Sequence, residues 1–183
     1  MKIKMPELLL IAGTGRNSGK TTMACSVIQN ISKLQSIVAI KITPHFHENY
    51  AFGKILIERN DLVIMEETQQ DTDKDSTRML RAGAKPVYFV MAKDEQLKEA
   101  FEIILELTPK NRPIVCESGG LIHYTEPGLF LMMSRSETTE FKPGTPDLKV
   151  LADRWITFDG NHPDLDPDTI TYSANGWKIV PKN

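Results

Sequence analysis

Apolar residues fall along this chain in short unbroken runs, separated by stretches with helical spacing. Residues 8–12, Leu-Leu-Leu-Ile-Ala, form one such run, the pattern of a strand covered on both faces. Met23, Ala24, Val27, Ile28, Ile31 and Leu34 then fall on one helical stripe. A second strand is predicted over 37–42, and two more over 55–58 and 62–66 with Arg59-Asn60-Asp61 as the turn. In "DTDKDSTRMLRAGAKP", Asp75 is the expected helix N-cap, Met79 and Leu80 face inward, Gly83 suits the C′ position, and Pro86 blocks continuation. Strand 87–91 follows, then an amphipathic helix from about 94 to 107 marked by Leu97, Phe101, Ile104 and Leu105. Further strands are predicted over 113–116, 129–133 and 155–158, and a short helix over 148–152. Asn175-Gly176 reads as a two-residue hairpin turn.

Strands that alternate with helices argue for an α/β domain with a mostly parallel central sheet. A chain of 183 residues favours one domain, with the last forty or so residues an accessory strand and hairpin extension. No internal repeat or low-complexity tract interrupts it. Lys and Arg number 22 against 24 Asp and Glu, for a net charge of −2. That balance argues against a nucleic-acid or membrane-surface partner. No apolar run approaches the roughly 18 residues that span a bilayer, and the first residues lack a signal-peptide pattern, so a cytoplasmic protein is expected. Cys25 and Cys116 have no paired spacing and sit in apolar stretches, as small core residues do.

The chemistry concentrates after the first apolar run, in "GTGRNSGKTT", residues 13–22. A polyphosphate needs several backbone N–H groups aimed at one point, and a following helix N-terminus adds positive potential. In the pattern G-x-x-x-x-G-K-[ST], Lys20 reaches the terminal phosphates and the Thr21 hydroxyl completes a Mg²⁺ shell. The expected nucleotide contacts are therefore Gly15, Arg16, Asn17, Ser18, Gly19, Lys20, Thr21 and Thr22. Thr14 stands where the first glycine belongs, and Gly15, one place later, is expected to supply the backbone freedom. The dinucleotide pattern G-x-G-x-x-G fits less well, because Ser18 occupies its third glycine position.

Such a loop needs a second carboxylate near the metal. Glu117, after "PIVC" and before Ser118-Gly119-Gly120, is the best placed. In "DTDKD", Asp71 and Asp73 either approach Mg²⁺ or substrate or form a solvated acidic loop, with Asp73 the metal-side candidate. An EF-hand is ruled out, since Ser76 and Ala82 stand where it needs Gly and Glu. Arg78 and Arg81 either hold an anion or pair with these aspartates. Lys41 ends the second strand, the edge that faces the ligand crevice in an open α/β sheet, and joins Lys20 as a candidate catalytic cation. His45 and His47, two apart, are a metal pair or loop histidines, and His123 and His162 are isolated.

The loop, Lys41 with its nearby histidines, and "DTDKDSTRMLRAGA" together resemble the molybdopterin-guanine dinucleotide biosynthesis protein B family over roughly residues 8–117. The resemblance implies a three-layer P-loop NTPase fold of the SIMIBI class, that of signal-recognition and MinD-like proteins, which often work as homodimers. It also implies Mg²⁺, with GTP the usual nucleotide, and a role in molybdenum cofactor maturation beside a cofactor-pathway enzyme. "CESGGL" is instead similar to the Glu-Gly-Ala-Gly-Gly-Leu of dethiobiotin synthetase, one residue shorter. That likeness implies an ATP-dependent enzyme acting on a small carboxylate or amine. No Asn-Lys-x-Asp element for guanine is present, so ATP and GTP both stay open. A nucleotide-gated binding module without turnover is the third reading.

Overall fold

The computed structural model describes residues 2–46, 53–136 and 145–182. In chain order the strands are β1 (Ile3–Gly13), β2 (Val38–Thr43), β3 (Gly53–Arg59), β4 (Leu62–Glu67), β5 (Val87–Ala92), β6 (Ile114–Glu117), β7 (Thr125–Arg135), β8 (Arg154–Phe158), β9 (Ile170–Ser173) and β10 (Gly176–Ile179). The α-helices are α1 (Lys20–Ile31), α2 (Asp75–Arg81), α3 (Leu97–Leu107) and α4 (Thr145–Leu151). Eight strands form the central sheet in the order β3-β4-β5-β2-β6-β1-β7-β8. Strand β4 runs antiparallel to both its neighbours, and the remaining pairings are parallel. The expected α/β domain with a mostly parallel sheet is what the chain forms.

Alternate residues of β1 point to opposite faces, as the strand repeat of two requires. Leu8 and Leu10 enter one core with Phe101 and Ile104 of α3. Leu9 and Ile11 enter the other with Met23, Val27 and Ile28 of α1. An unbroken apolar run is therefore what a central strand with covered faces needs. Helix α2 closes as its sequence suggests. Gly83 takes φ 111°, its N–H reaches Leu80 O at 3.0 Å, and Ala84 N–H reaches Met79 O at 3.3 Å, which is a Schellman closure.

Several boundaries differ from expectation for physical reasons. Strand β1 begins at Ile3, because Ile3 to Met5 pair with Thr125 to Pro127 of β7, and both strands extend past their apolar runs. The 94–107 helix opens with a 3₁₀ turn at Asp94–Gln96 before α3. Asp75 is not a cap: Lys74 holds the N-cap position of α2 without a side-chain bond, and the Asp75 carboxylate faces Lys41 instead. The hairpin turn lies one place earlier, at Ala174-Asn175, since Ser173 pairs with Gly176. Gly176 carries the positive φ, 90°, and a Cβ there would sit 3.0 Å from Pro6 Cβ.

The β9–β10 hairpin is built into the second core. Trp177 is 2% exposed, packs in the α1-side core, and donates its Nε1–H to Glu7 O at 2.7 Å. Emptying a site this size costs about 3–5 kcal/mol. Urea unfolding of Trp177→Ala should show a loss of that order, whereas a hairpin merely appended to the domain would show almost none.

Candidate functional site

The candidate residues gather where the parallel strands end. Strand β1 delivers Gly13, the loop turns through residues 14–19, and α1 starts at Lys20. The Thr14 N–H still bonds to Met133 O, at 2.9 Å, so Thr14 continues the alignment with β7 and its side chain is buried. At the start of the loop the glycine that close packing requires is Gly13. A Cβ there would meet Ser18 Oγ and lie 2.8 Å from Lys20 Cδ. Gly15 has nothing within 4 Å of its Cβ position, which corrects the expectation that it supplies the missing freedom. Its carbonyl matters instead, accepting Lys20 Nζ at 2.6 Å and Ser18 Oγ at 3.1 Å. Gly19 has φ 84°, and its Cβ position is 2.5 Å from Phe158 Cγ, so conformation and space both demand glycine. Asn17 also sits in the left-handed region, at φ 55°.

Beneath the loop lies a buried polar network. Thr21 Oγ1 donates to Glu117 Oε2 at 2.9 Å, and Glu117 is 2% exposed. The Lys41 ammonium bridges Glu117 Oε1 and, at 2.8 Å, Asp75 Oδ2. Register brings this about: Lys41 and Glu117 are Cα partners across β2 and β6, and Ile11 partners Glu117 across β1 and β6. Burial pushes the Lys41 ammonium toward neutrality, but Glu117 and Asp75 outweigh it and its pKa rises above the ordinary 10.5. Burial likewise pushes the Asp75 carboxyl up, but Lys41, with Thr21 and Arg78, brings it below 3.8.

The remaining predicted residues separate. Asp73, expected beside the metal, lies outside the network: its side chain is fully exposed and approaches Arg81 at 3.5 Å. The aspartate that joins the network is Asp75, through Lys41. Arg81 also donates to the Gln70 and Thr72 carbonyls, so it braces the acidic loop, while Arg78 meets Asp75 at 3.9 Å. Asp71 is exposed. His47 lies outside the described residues, so the His45 and His47 pair has no structural account, and His162 is exposed. Burial raises the Cys25 thiol to about 11 and pushes the Cys116 thiol up further, which keeps both protonated and unreactive.

Two cavities open from the network. One, of about 630 Å³, runs along residues 15–22 and is bounded by Arg78, Arg135, Phe158 and Gly160. The other, a cleft of about 600 Å³, spreads over Ser118-Gly119-Gly120 and is walled by Ile42, Leu97, Tyr124 and Leu148. Lys20, Lys41, His45 and Glu117 line both. Among the described residues no three His, Cys, Asp or Glu side chains converge to hold a metal ion. The donor set of Thr21 and Glu117, with Asp75 next to them, is all oxygen, which suits an ion that takes one or two protein ligands and completes its shell with phosphate and water.

Sequence reasoning missed three contributors. Arg135 and Phe158 reach the loop because β7 and β8 end there in register, a pairing without a local signal. Glu67, 4% exposed, accepts Ser76 Oγ at 2.7 Å, Thr77 Oγ1 at 3.2 Å and the Gln69 N–H at 2.9 Å. It pins the start of α2 and so holds Asp75 toward Lys41. A glutamate closing an apolar strand, with two hydroxyls in the next helix, was the available sign. Compared with known proteins, the chain matches no family model, no curated protein and no solved structure.

The depressed Asp75 carboxyl carries a pH signature. A group whose folded pKa lies below its unfolded value stabilises the fold above the unfolded value, here 3.8, and loses that contribution as pH falls through the folded one. Chemical denaturation should therefore find wild type more stable than Asp75→Asn at neutral pH, with the gap closing only below 3.8. A gap unchanged into that acid range would contradict the Lys41–Asp75 pairing.

Proposed function

We propose that this chain is a P-loop nucleotide-binding protein that holds a nucleoside triphosphate, ATP or GTP, with Mg²⁺ and turns it over slowly in support of cofactor biosynthesis such as molybdenum cofactor maturation. The observation that carries this reading is the closed loop itself. Gly13 lets it fold tightly over Lys20, the N-terminus of the 12-residue α1 points into it, and Thr21 adjoins a buried carboxylate. The cavity along the loop is also polarised for an anion. Arg16, Arg78 and Arg135 line it together with Lys20 and Lys41, against Asp75 and Glu117.

In this reading the amides of Gly15, Arg16, Asn17, Ser18, Gly19 and Thr22 cradle the phosphates, as amides at a helix N-terminus do. Lys20 leaves the Gly15 carbonyl for the terminal phosphate. Thr21 and Glu117 are the protein ligands for Mg²⁺, which supplies charge neutralisation on the phosphates when bound. Lys41 steadies Glu117 and lies within reach of the charge that develops on the transferred group. The domain works as a homodimer beside a cofactor-pathway partner.

A second reading, an ATP-dependent enzyme acting on a small molecule, is favoured by one specific observation. The 600 Å³ cleft meets the phosphate cavity at Lys20, Lys41 and Glu117, where an acceptor would have to stand.

A thermal-shift panel of ATP, GTP, ADP and GDP with Mg²⁺ tests the shared core of both readings. At about 100 times its dissociation constant a ligand adds roughly 2.7 kcal/mol of stability, an obvious rise in Tm. Lys20→Ala should erase that rise. Failure of all four nucleotides to stabilise the wild-type chain at millimolar concentration would refute the proposal.

A further inference from the structure

We infer that His45 is the general base of nucleotide turnover in this chain, placed to take the proton of the water that attacks the terminal phosphate. The inference deepens the nucleotide reading above and rests on it. Lys20, Lys41, His45 and Glu117 are the described residues that line both cavities. That seam is where the attack has to come from. With a phosphate tail along residues 15–22 and its end at Lys20, the leaving oxygen lies on the loop side. The attacking oxygen stands roughly in line with it, on the far side of the phosphorus. On that side the loop cavity opens into the cleft.

A base needs a lone pair to offer, and the other groups at the seam are committed. Lys20 and Lys41 are cations that donate to the Gly15 carbonyl and to Glu117. Glu117 is 2% exposed. Its Oε2 accepts from Thr21 at 2.9 Å, and its Oε1 accepts from Lys41. In the nucleotide reading it also holds the metal. Asp75, in the loop cavity, is held by Lys41 at 2.8 Å. The His45 imidazole differs on each count. It is exposed, and no described residue hydrogen-bonds to its ring. Its backbone is fixed all the same, because the His45 N–H donates to Thr43 Oγ1 at 3.2 Å just past the end of β2. The strand that delivers Lys41 therefore delivers the base as well. In the step, the water oxygen bonds to the terminal phosphorus while the bond from phosphorus to the bridging oxygen breaks. The bridging oxygen leaves on the nucleoside diphosphate with the electron pair of that bond. The water proton passes to the neutral imidazole, which returns it to solvent, and inorganic phosphate is released.

The test uses the full chain with Mg²⁺, and ATP and GTP in parallel. Single-turnover phosphate release reports the step, and the Kd of a non-hydrolysable analogue of each nucleotide reports binding separately. His45→Ala should slow release by about 100-fold, the lower end of what a general base contributes, and leave the analogue Kd within about twofold. Its Tm should match wild type, since the ring is exposed. Added imidazole should raise the variant's rate. Added 1,2,4-triazole, a ring of the same shape and far weaker basicity, should not. His123→Ala, whose ring lines the cleft alone, should keep the wild-type rate. A loss smaller than about tenfold in His45→Ala, a like loss in His123→Ala, or two azoles that act alike would each overturn the assignment and leave nucleotide binding standing. Analogue binding by a wild-type chain that releases no phosphate would do the same. A wild-type chain that binds neither analogue would overturn the nucleotide reading, and the base with it.

Discussion

The Lys41–Glu117 pair is the interaction on which the rest of the site depends. Glu117 is 2% exposed, and a carboxylate taken so far out of water is stable only with a partner. Breaking a buried pair of this kind typically costs about 3–5 kcal/mol, because the remaining charge is left unmatched. The parallel register of β2 and β6 places the two residues side by side. From that point the network branches to Thr21 at the start of α1 and to Asp75 at the start of α2. Two helices and two strands thus share one electrostatic junction, and both cavities open from it.

The junction explains why the neighbouring parts have their forms. Glu67 is buried among hydroxyls so that α2 begins where Asp75 can reach Lys41. The loop closes on Lys20 because Gly13 has no side chain to obstruct it. Phe158 covers Gly19 from β8, which ties the far edge of the sheet to the loop before α1. Charge then divides the space around the junction. Arg16, Arg78 and Arg135 line only the loop cavity, and Asp94 and Asp147 line only the cleft.

How much of this was legible in the sequence differs by residue. Local patterns carried the strands, the helices and the glycine closure of α2, because burial and capping leave a mark within a few positions. Lys20, Lys41 and Glu117 were identifiable for the same reason: each ends or begins an element that the apolar runs delimit. The spacing points to Gly15 for the steric freedom that Gly13 supplies, since a spacing rule cannot show that Gly13 faces Ser18 and Lys20. Which of the alternating aspartates reaches Lys41 is not visible in the sequence, because Asp73 and Asp75 look equivalent until Glu67 fixes the start of α2. Arg135, Asp94 and Asp147 acquire their places only from strand order and from the cavities that order creates, and neither is written in any local stretch.

The proposed function requires the loop, Lys20 and the Thr21–Glu117 pair to act as one triphosphate seat. The most direct measurement is a crystal structure of the chain with Mg²⁺ and a non-hydrolysable nucleoside triphosphate. It should show Lys20 Nζ moved from the Gly15 carbonyl to the terminal phosphate, and the metal on Thr21 Oγ1. A nucleotide bound away from residues 13–22, or a Lys20 still bonded to Gly15 beside an empty loop at saturating ligand, would contradict it.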